Sequence, residues 1–214
     1  MRSCAAASLA LLLAVTAALA AAQDGTRMPP AVDRRAPEAF RVRLDTTRGP
    51  IVVACTRAWA PHGVDRFYTL VTAGYYDDSA FFRVVRGKWA QFGIGGTPAV
   101  AEAWRTRTIP DDPFVGQSNV KGTVAFAFAA PNGRTTQVFF NLADNSAAHD
   151  TEPFVVFGTV VEGLDVMDAL YDGYGESALG GIRAGKQAPL FQQGNAYLRT
   201  RFPKLDYVRR ATVE

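Results

Sequence analysis

Residues 81–96 read FFRVVRGKWAQFGIGG, and their pattern is that of two strands around a tight turn. Phe82, Val84 and Val85 precede Arg86-Gly87, and Trp89, Gln91 and Phe92 follow it. Gly and its neighbours punctuate the run where a hairpin needs to reverse. Arg83 and Gln91 are the unusual members: a long polar side chain among aromatic and β-branched neighbours either turns to solvent or is aimed, at a desolvation cost, into a partly dry groove.

Residues 122–141, GTVAFAFAAPNGRTTQVFFN, repeat this mixture, with Phe126, Phe128, Gln137, Phe139 and Phe140 on either side of a Pro131-Asn132-Gly133 turn. Together the two stretches can build one aromatic wall studded with amides and a guanidinium. Upstream, Phe40, Val42 and Leu44 alternate with Arg41, Arg43 and Asp45. Arg48-Gly49-Pro50 then turns the chain into Ile51, Val53 and Cys55, which predicts an antiparallel hairpin. A helix follows, with Pro61 at its start, Val64, Phe67, Tyr68 and Val71 on one face, and Gly74 at its close. Residues 97–119, with Pro98, Pro110 and Pro113, read as loop. Further strands are expected at 123–129, 136–142 and 154–161, a second helix at 164–171, a Gly-rich surface loop at 172–185, a short helical piece around 195–202 and a closing strand near Leu205, Tyr207 and Val208.

A chain of 214 residues with 48% hydrophobic content suits one well-cored domain. Met1-Arg2 leads into an uncharged Ala/Leu/Val run ending in small residues near Ala20 to Ala22, the form of a secretory signal peptide over 1–22. Residues 23–37, holding Gly25, Pro29, Pro30 and Pro37 without a period, read as a flexible leader, so that the domain proper occupies 38–214. The net charge of +3 is scattered, which makes no case for nucleic acid or for lasting membrane association after signal cleavage. An exported destination, periplasmic or extracellular, is expected. Cleavage would leave Cys55 as the sole cysteine, without a disulfide partner and in strand phase with Ile51 and Val53, hence a buried, inert thiol. Heptads are absent too, and a monomer is the expectation.

The two blocks resemble the cyclophilin family of peptidyl-prolyl cis-trans isomerases. The first family signature is matched at Phe81, Arg83, Val84, Gly87 and Gln91, the second at Gly122, Ala127, Gln137 and Phe139, and FVVFGTVVEGLDVMDAL over 154–170 fits downstream. The resemblance covers roughly residues 40–170, and leaves 172–214 as a divergent tail. Strand periodicity alone supports all-β or α+β. The resemblance implies a mainly β fold: a closed eight-stranded antiparallel barrel capped by two α-helices.

The residues exclude much chemistry on their own. His62 and His149 are the only histidines, and neither has a partner at metal-ligand spacing, so no metal or other cofactor is expected. No nucleophile elbow, P-loop or dinucleotide fingerprint is present, and Asp111-Asp112 reads as a solvated turn. What remains is a groove without a nucleophile or a general base, suited to binding or to a reaction that transfers no proton. Rotation about a prolyl peptide bond is such a reaction, its barrier of about 18–20 kcal/mol being the loss of amide resonance.

By resemblance, Arg83 is the catalytic arginine, Gln91 and Gln137 orient it and the substrate backbone, and Ala127 and Phe139 line the proline pocket. Phe154 matches a position often occupied by His, and His149 falls near a family tryptophan. Departures from the family pattern place Lys88 where a pocket phenylalanine is usual and Trp89 where a methionine is usual. The function implied is isomerisation of Xaa-Pro bonds in proline-containing or unfolded exported polypeptides. Two other readings compete. One is a polypeptide-binding or chaperone module with weak turnover, which Lys88 favours; the other is a small-ligand barrel, disfavoured because eight strands enclose a packed interior.

Overall fold

A computed structural model describes residues 27–177 and 187–214. Residues 1–22, the signal-peptide expectation, and the second half of the Gly-rich loop lie outside them. The chain forms β1 (Ala39–Thr46), β2 (Pro50–Thr56), α1 (Pro61–Thr72), β3 (Ser79–Ala80), β4 (Arg83–Val85), β5 (Trp89–Phe92) and α2 (Pro98–Arg105). It continues with β6 (Thr123–Phe126), β7 (Val138–Asn141), α3 (Ser146–His149), β8 (Val156–Glu162), α4 (Leu164–Asp168), α5 (Ala188–Arg201) and β9 (Tyr207–Val213).

All nine strands belong to one antiparallel sheet in the order β3-β9-β1-β2-β8-β6-β7-β5-β4. This corrects the closed eight-stranded barrel: the sheet curls into an open half-barrel whose end strands, β3 and β4, share no ladder. They are consecutive in sequence, and only Phe81 and Phe82 separate them. Both rings are fully buried, so alternation fails here and the chain crosses the seam as packed side chains instead of as a paired strand. Five α-helices, not two, accompany the sheet among the described residues. The missed α2 carries Pro98 at its first turn and buries Val100, Ala101 and Trp104, a helical spacing masked by the neighbouring prolines.

The main core fills the concave face. Phe40, Val42 and Leu44 of β1 face Cys55, Val53 and Ile51 of β2 in register, and α1 adds Val64, Phe67 and Leu70. Phe67 meets Phe157 with ring centroids 4.9 Å apart, and Phe92 meets Phe140 at 5.6 Å. Burying each such ring is worth about 1.5–3 kcal/mol. Burial also pushes the Cys55 thiol far above its ordinary titration range, as an inert buried cysteine requires.

A second, smaller cluster joins Phe82, Ile94, Ala101, Leu190, Leu198 and Leu205 where α5 packs on α2. Gly194 interrupts α5 at φ 60°, and a Cβ there would lie 2.1 Å from the Gly96 carbonyl oxygen. Only glycine tolerates that approach, and it lets the Asn195 N–H donate to the same oxygen at 2.9 Å. Residues 27–37, read as a flexible leader, run without a strand along α1 and α2. The Ala36 N–H donates to Asp65, the Arg34 N–H to Thr69 Oγ1, and Trp104 Nε1 to the Arg27 carbonyl at 2.7 Å.

Candidate active site

The register of β4, β5, β7 and β6 brings the site together. Arg83 lies opposite Gln91, Gln91 opposite Phe139, and Phe139 opposite Ala125, so one row crosses four strands. Side chains two residues apart share a face, which adds Trp89 beside Gln91 and Gln137 beside Phe139. The intervening residues, Val84, Ala90, Phe92, Val138 and Phe140, point the other way into the main core. The site therefore occupies the face of the sheet turned away from that core.

A polar chain runs along it. Arg83 Nη1 donates to Gln91 Oε1 at 3.1 Å, Gln91 Nε2 to Gln137 Oε1 at 2.9 Å, and Gln137 Nε2 to Gln187 Oε1 at 2.9 Å. Each amide orientation is fixed by the next, since an oxygen receiving from one side leaves the NH2 to donate on the other. Gln91 is 5% exposed, so its two bonds offset the cost of burying an amide. The Arg83 guanidinium also lies over the Trp89 ring, 4.7 Å from its centroid, and its Nε and Nη2 donate to the Glu176 carboxylate at 3.1 and 2.7 Å.

Next to this chain stands an aromatic wall. His149 stacks on Trp89 with centroids 5.6 Å apart, and meets Phe154 at 4.7 Å and Phe139 at 5.4 Å. Phe139 and Phe154 make an edge contact at 5.5 Å, and Phe128 closes on Phe154 at 4.4 Å. Desolvation in this stack lowers the His149 pKa, against the opposing pull of Asp150, which favours the neutral ring. A cavity of about 340 Å³ is lined by Arg83, Trp89, Gln91, Ala127, Gln137, Phe139, His149 and Phe154, and by Phe128, Ala129, Gly133, Thr135 and Gln187.

Eight of the nine residues singled out from the sequence thus meet at one cavity. Lys88 does not line it: it sits exposed at the β4–β5 turn, its Nζ 5.7 Å from the Trp89 ring centroid. Trp89 and His149, stacked on each other, both line the cavity. Phe128, placed in the aromatic wall from sequence, does line the cavity, whereas sequence reading missed Thr135, Gln187 and Glu176. Thr135 lies within the second block, whereas Gln187 and Glu176 come from the divergent tail and carry no sequence signal.

The segment between Ala127 and Gln137, which forms one side of the cavity, is anchored from behind. Arg134 is wholly buried and donates to Asp112 at 3.0 Å and to the Pro110 carbonyl; Asp112 in turn accepts from the His62 and Gly63 N–H groups that start α1. Arg66, also buried, donates to the Thr135 carbonyl at 2.9 Å. Among the described residues, no group of three or more His, Cys, Asp or Glu side chains could hold a metal ion.

Fold and site together set a held guanidinium beside an aromatic pocket on one face of an open half-barrel. The chain belongs to the cyclophilin-type peptidyl-prolyl cis-trans isomerase family, whose sequence model matches residues 41–183. It is similar to a Streptomyces antibioticus peptidyl-prolyl cis-trans isomerase, cyp18, at 35% identity over 136 residues, which span 60% of this chain and 81% of that one. Peptidyl-prolyl cis-trans isomerase B of Escherichia coli is 31% identical over 136 residues, 60% of this chain and 82% of the relative. Among solved structures, a Cryptosporidium parvum cyclophilin-type isomerase superposes with a TM-score of 0.59 at 15% identity, covering 82% of this chain and 98% of that one. That likeness is one of fold.

Proposed function

We propose that this chain catalyses cis–trans isomerisation of Xaa-Pro bonds in exported polypeptides, with Arg83 as the catalytic donor and Gln91, Gln137, Ala127, Phe139, Phe154, Trp89 and His149 as the substrate-contacting set. The observation that carries the reading is the row Arg83–Gln91–Phe139, which sets a held guanidinium directly beside an aromatic pocket. The pocket takes the proline ring and strips water from the imide. As the C–N bond twists, resonance is lost and the lone pair localises on the prolyl nitrogen, which then accepts a hydrogen bond that the planar amide accepts poorly. A donor already in place stabilises the twisted state more than either planar state, and that difference is what lowers a barrier of about 18–20 kcal/mol. No bond breaks and no proton leaves, consistent with a site built without a nucleophile.

The test is exchange spectroscopy by NMR on an Ala-Pro-Phe peptide with catalytic amounts of the chain lacking residues 1–22. Exchange between cis and trans signals is expected with the native chain and not with Arg83→Ala. A second reading, a polypeptide-binding module with little turnover, is favoured by one observation: Glu176 already takes two N–H bonds of the guanidinium. Peptide signals that shift without faster exchange would select it. Export is supported by the apolar run ahead of Ala22, and the chain is proposed to act as a monomer outside the cytoplasm; cell fractionation and the mass of the recovered chain test both.

A further inference from the structure

We propose that Glu176 is a positioning residue for Arg83, presetting the guanidinium so that its remaining N–H bonds face the substrate. The proposal rests on the isomerase reading and adds to it a residue outside both sequence blocks. Arg83 has five N–H donors. Nε and Nη2 form the side-on fork to Glu176, at 3.1 and 2.7 Å, and Nη1 spends one N–H on Gln91 at 3.1 Å. One N–H on each terminal nitrogen is left without a partner among the described residues. Trp89 supports the plane from one face at 4.7 Å. Fork, amide and indole together fix the tilt, the roll and the height of a side chain that otherwise samples many rotamers.

The carboxylate is delivered to this place by a built segment. The Tyr171 N–H donates to the buried Asp206 at 2.7 Å, Tyr174 packs its ring edge-on against Tyr171 at 5.0 Å and Phe202 at 5.2 Å, and Asp172 pairs with Arg86 at the hairpin turn. Asp172 and Glu176 therefore grip the β4–β5 hairpin at both its arginines. Glu176 is not among the residues that line the cavity, whereas Arg83, Gln91, Gln137 and Gln187 are. It holds Arg83 from the flank and leaves the pocket open, which distinguishes a support from a competitor for the substrate's place. The Arg83 side chain is 16% exposed against 47% for Glu176, so the guanidinium is the sheltered partner and the acid reaches it from the solvent side.

The experiment compares native chain, Glu176→Gln, Glu176→Asp, Arg83→Ala and the double variant Arg83→Ala/Glu176→Gln in prolyl-peptide exchange, with the Arg83 Nε–H signal followed by NMR. Expected for Glu176→Gln is a kcat about tenfold lower with KM within about twofold, because a donor is misplaced and little ground-state contact is lost. Glu176→Asp should recover part of the rate, the double variant should be no slower than Arg83→Ala alone, and the sharp Nε–H signal of the native chain should broaden in Glu176→Gln. An active native chain whose rate is unchanged or raised by Glu176→Gln overturns the positioning role and leaves the isomerase reading intact. So does a KM that falls, which would make the carboxylate a competitor. A native chain with no activity overturns the isomerase reading, and the positioning role with it, even where the Nε–H signal is ordered.

Discussion

Arg83→Lys separates charge from geometry at the proposed catalytic donor. Lysine keeps the positive charge but replaces a planar fork by a point charge on a flexible stem. The bond to Gln91 Oε1 at 3.1 Å and the two-point contact with Glu176 at 3.1 and 2.7 Å cannot both be reproduced by one ammonium. Loss of one preorganised donor costs about 10²–10³ in kcat, or about 2.7–4 kcal/mol. Stability should change far less: the carboxylate partner is 47% exposed, and a pair open to solvent on one side is worth about 1 kcal/mol or less. The assay is cis–trans exchange of Ala-Pro-Phe by NMR, paired with a urea melt of the same sample. A fall in rate of about a hundredfold with an unchanged melt is expected. Activity retained to within about tenfold, less than about 1.4 kcal/mol on the barrier, would refute a role that depends on the guanidinium's shape.

Arg134→Met should destabilise the fold by about 3–5 kcal/mol in urea unfolding, because it leaves the wholly buried Asp112 carboxylate without its cation; a loss under about 1 kcal/mol would mean Asp112 relaxes to water. Gly93→Ala places a Cβ 2.4 Å from the Thr136 carbonyl oxygen at a residue with φ +102°, and should cost about 1–3 kcal/mol while displacing Gln137 and slowing exchange; a native-like melt and rate would show that the strand shifts freely. His149 should titrate below the ordinary histidine value of about 6.5, since desolvation favours its neutral form. A lowered folded-state pKa means that its contribution to stability is complete above about pH 6.5 and is lost as pH falls through the folded value. NMR titration of the ring protons reads the midpoint, and one at or above 6.5 would contradict a desolvated stack.

Much of the site was legible because a strand repeats every two residues. Arg83, Gln91, Gln137 and Phe139 fall in a phase opposite to Val84, Ala90, Val138 and Phe140, so one string of letters encodes both a core face and a functional face. The Lys88 assignment shows the limit of matching position to position. Its place in the motif is that of a wall residue, but Lys88 is exposed at the β4–β5 turn, and Trp89 and His149 line the cavity. The α2 helix shows a different limit: Val100, Ala101 and Trp104 have helical spacing, yet three prolines within 98–113 argue for loop, and burial of Val100 and Trp104 in the main core and of Ala101 beside Leu190 and Leu198 of a distant helix decides for the helix.

Local pattern by itself determined the hairpins β1–β2 and β4–β5, the helix α1, the buried thiol of Cys55 and the strand phase that puts Arg83 with Gln91 and Gln137 with Phe139 on one face, because each depends on residues near one another in the chain and on the period of strand or helix; the pairing of β5 with β7 then joined the two halves of the site. Tertiary structure decided what depends on distant segments meeting. It left the sheet an open half-barrel, since the seam at Phe81-Phe82 is closed by burial and not by pairing. It also set Glu176 and Gln187 against Arg83 and Gln137, 93 and 50 residues away in sequence. A carboxylate in an aperiodic tail has no local partner to announce it; only the packing of Tyr171, Tyr174 and Asp172 onto the rest of the fold gives it a place beside the guanidinium.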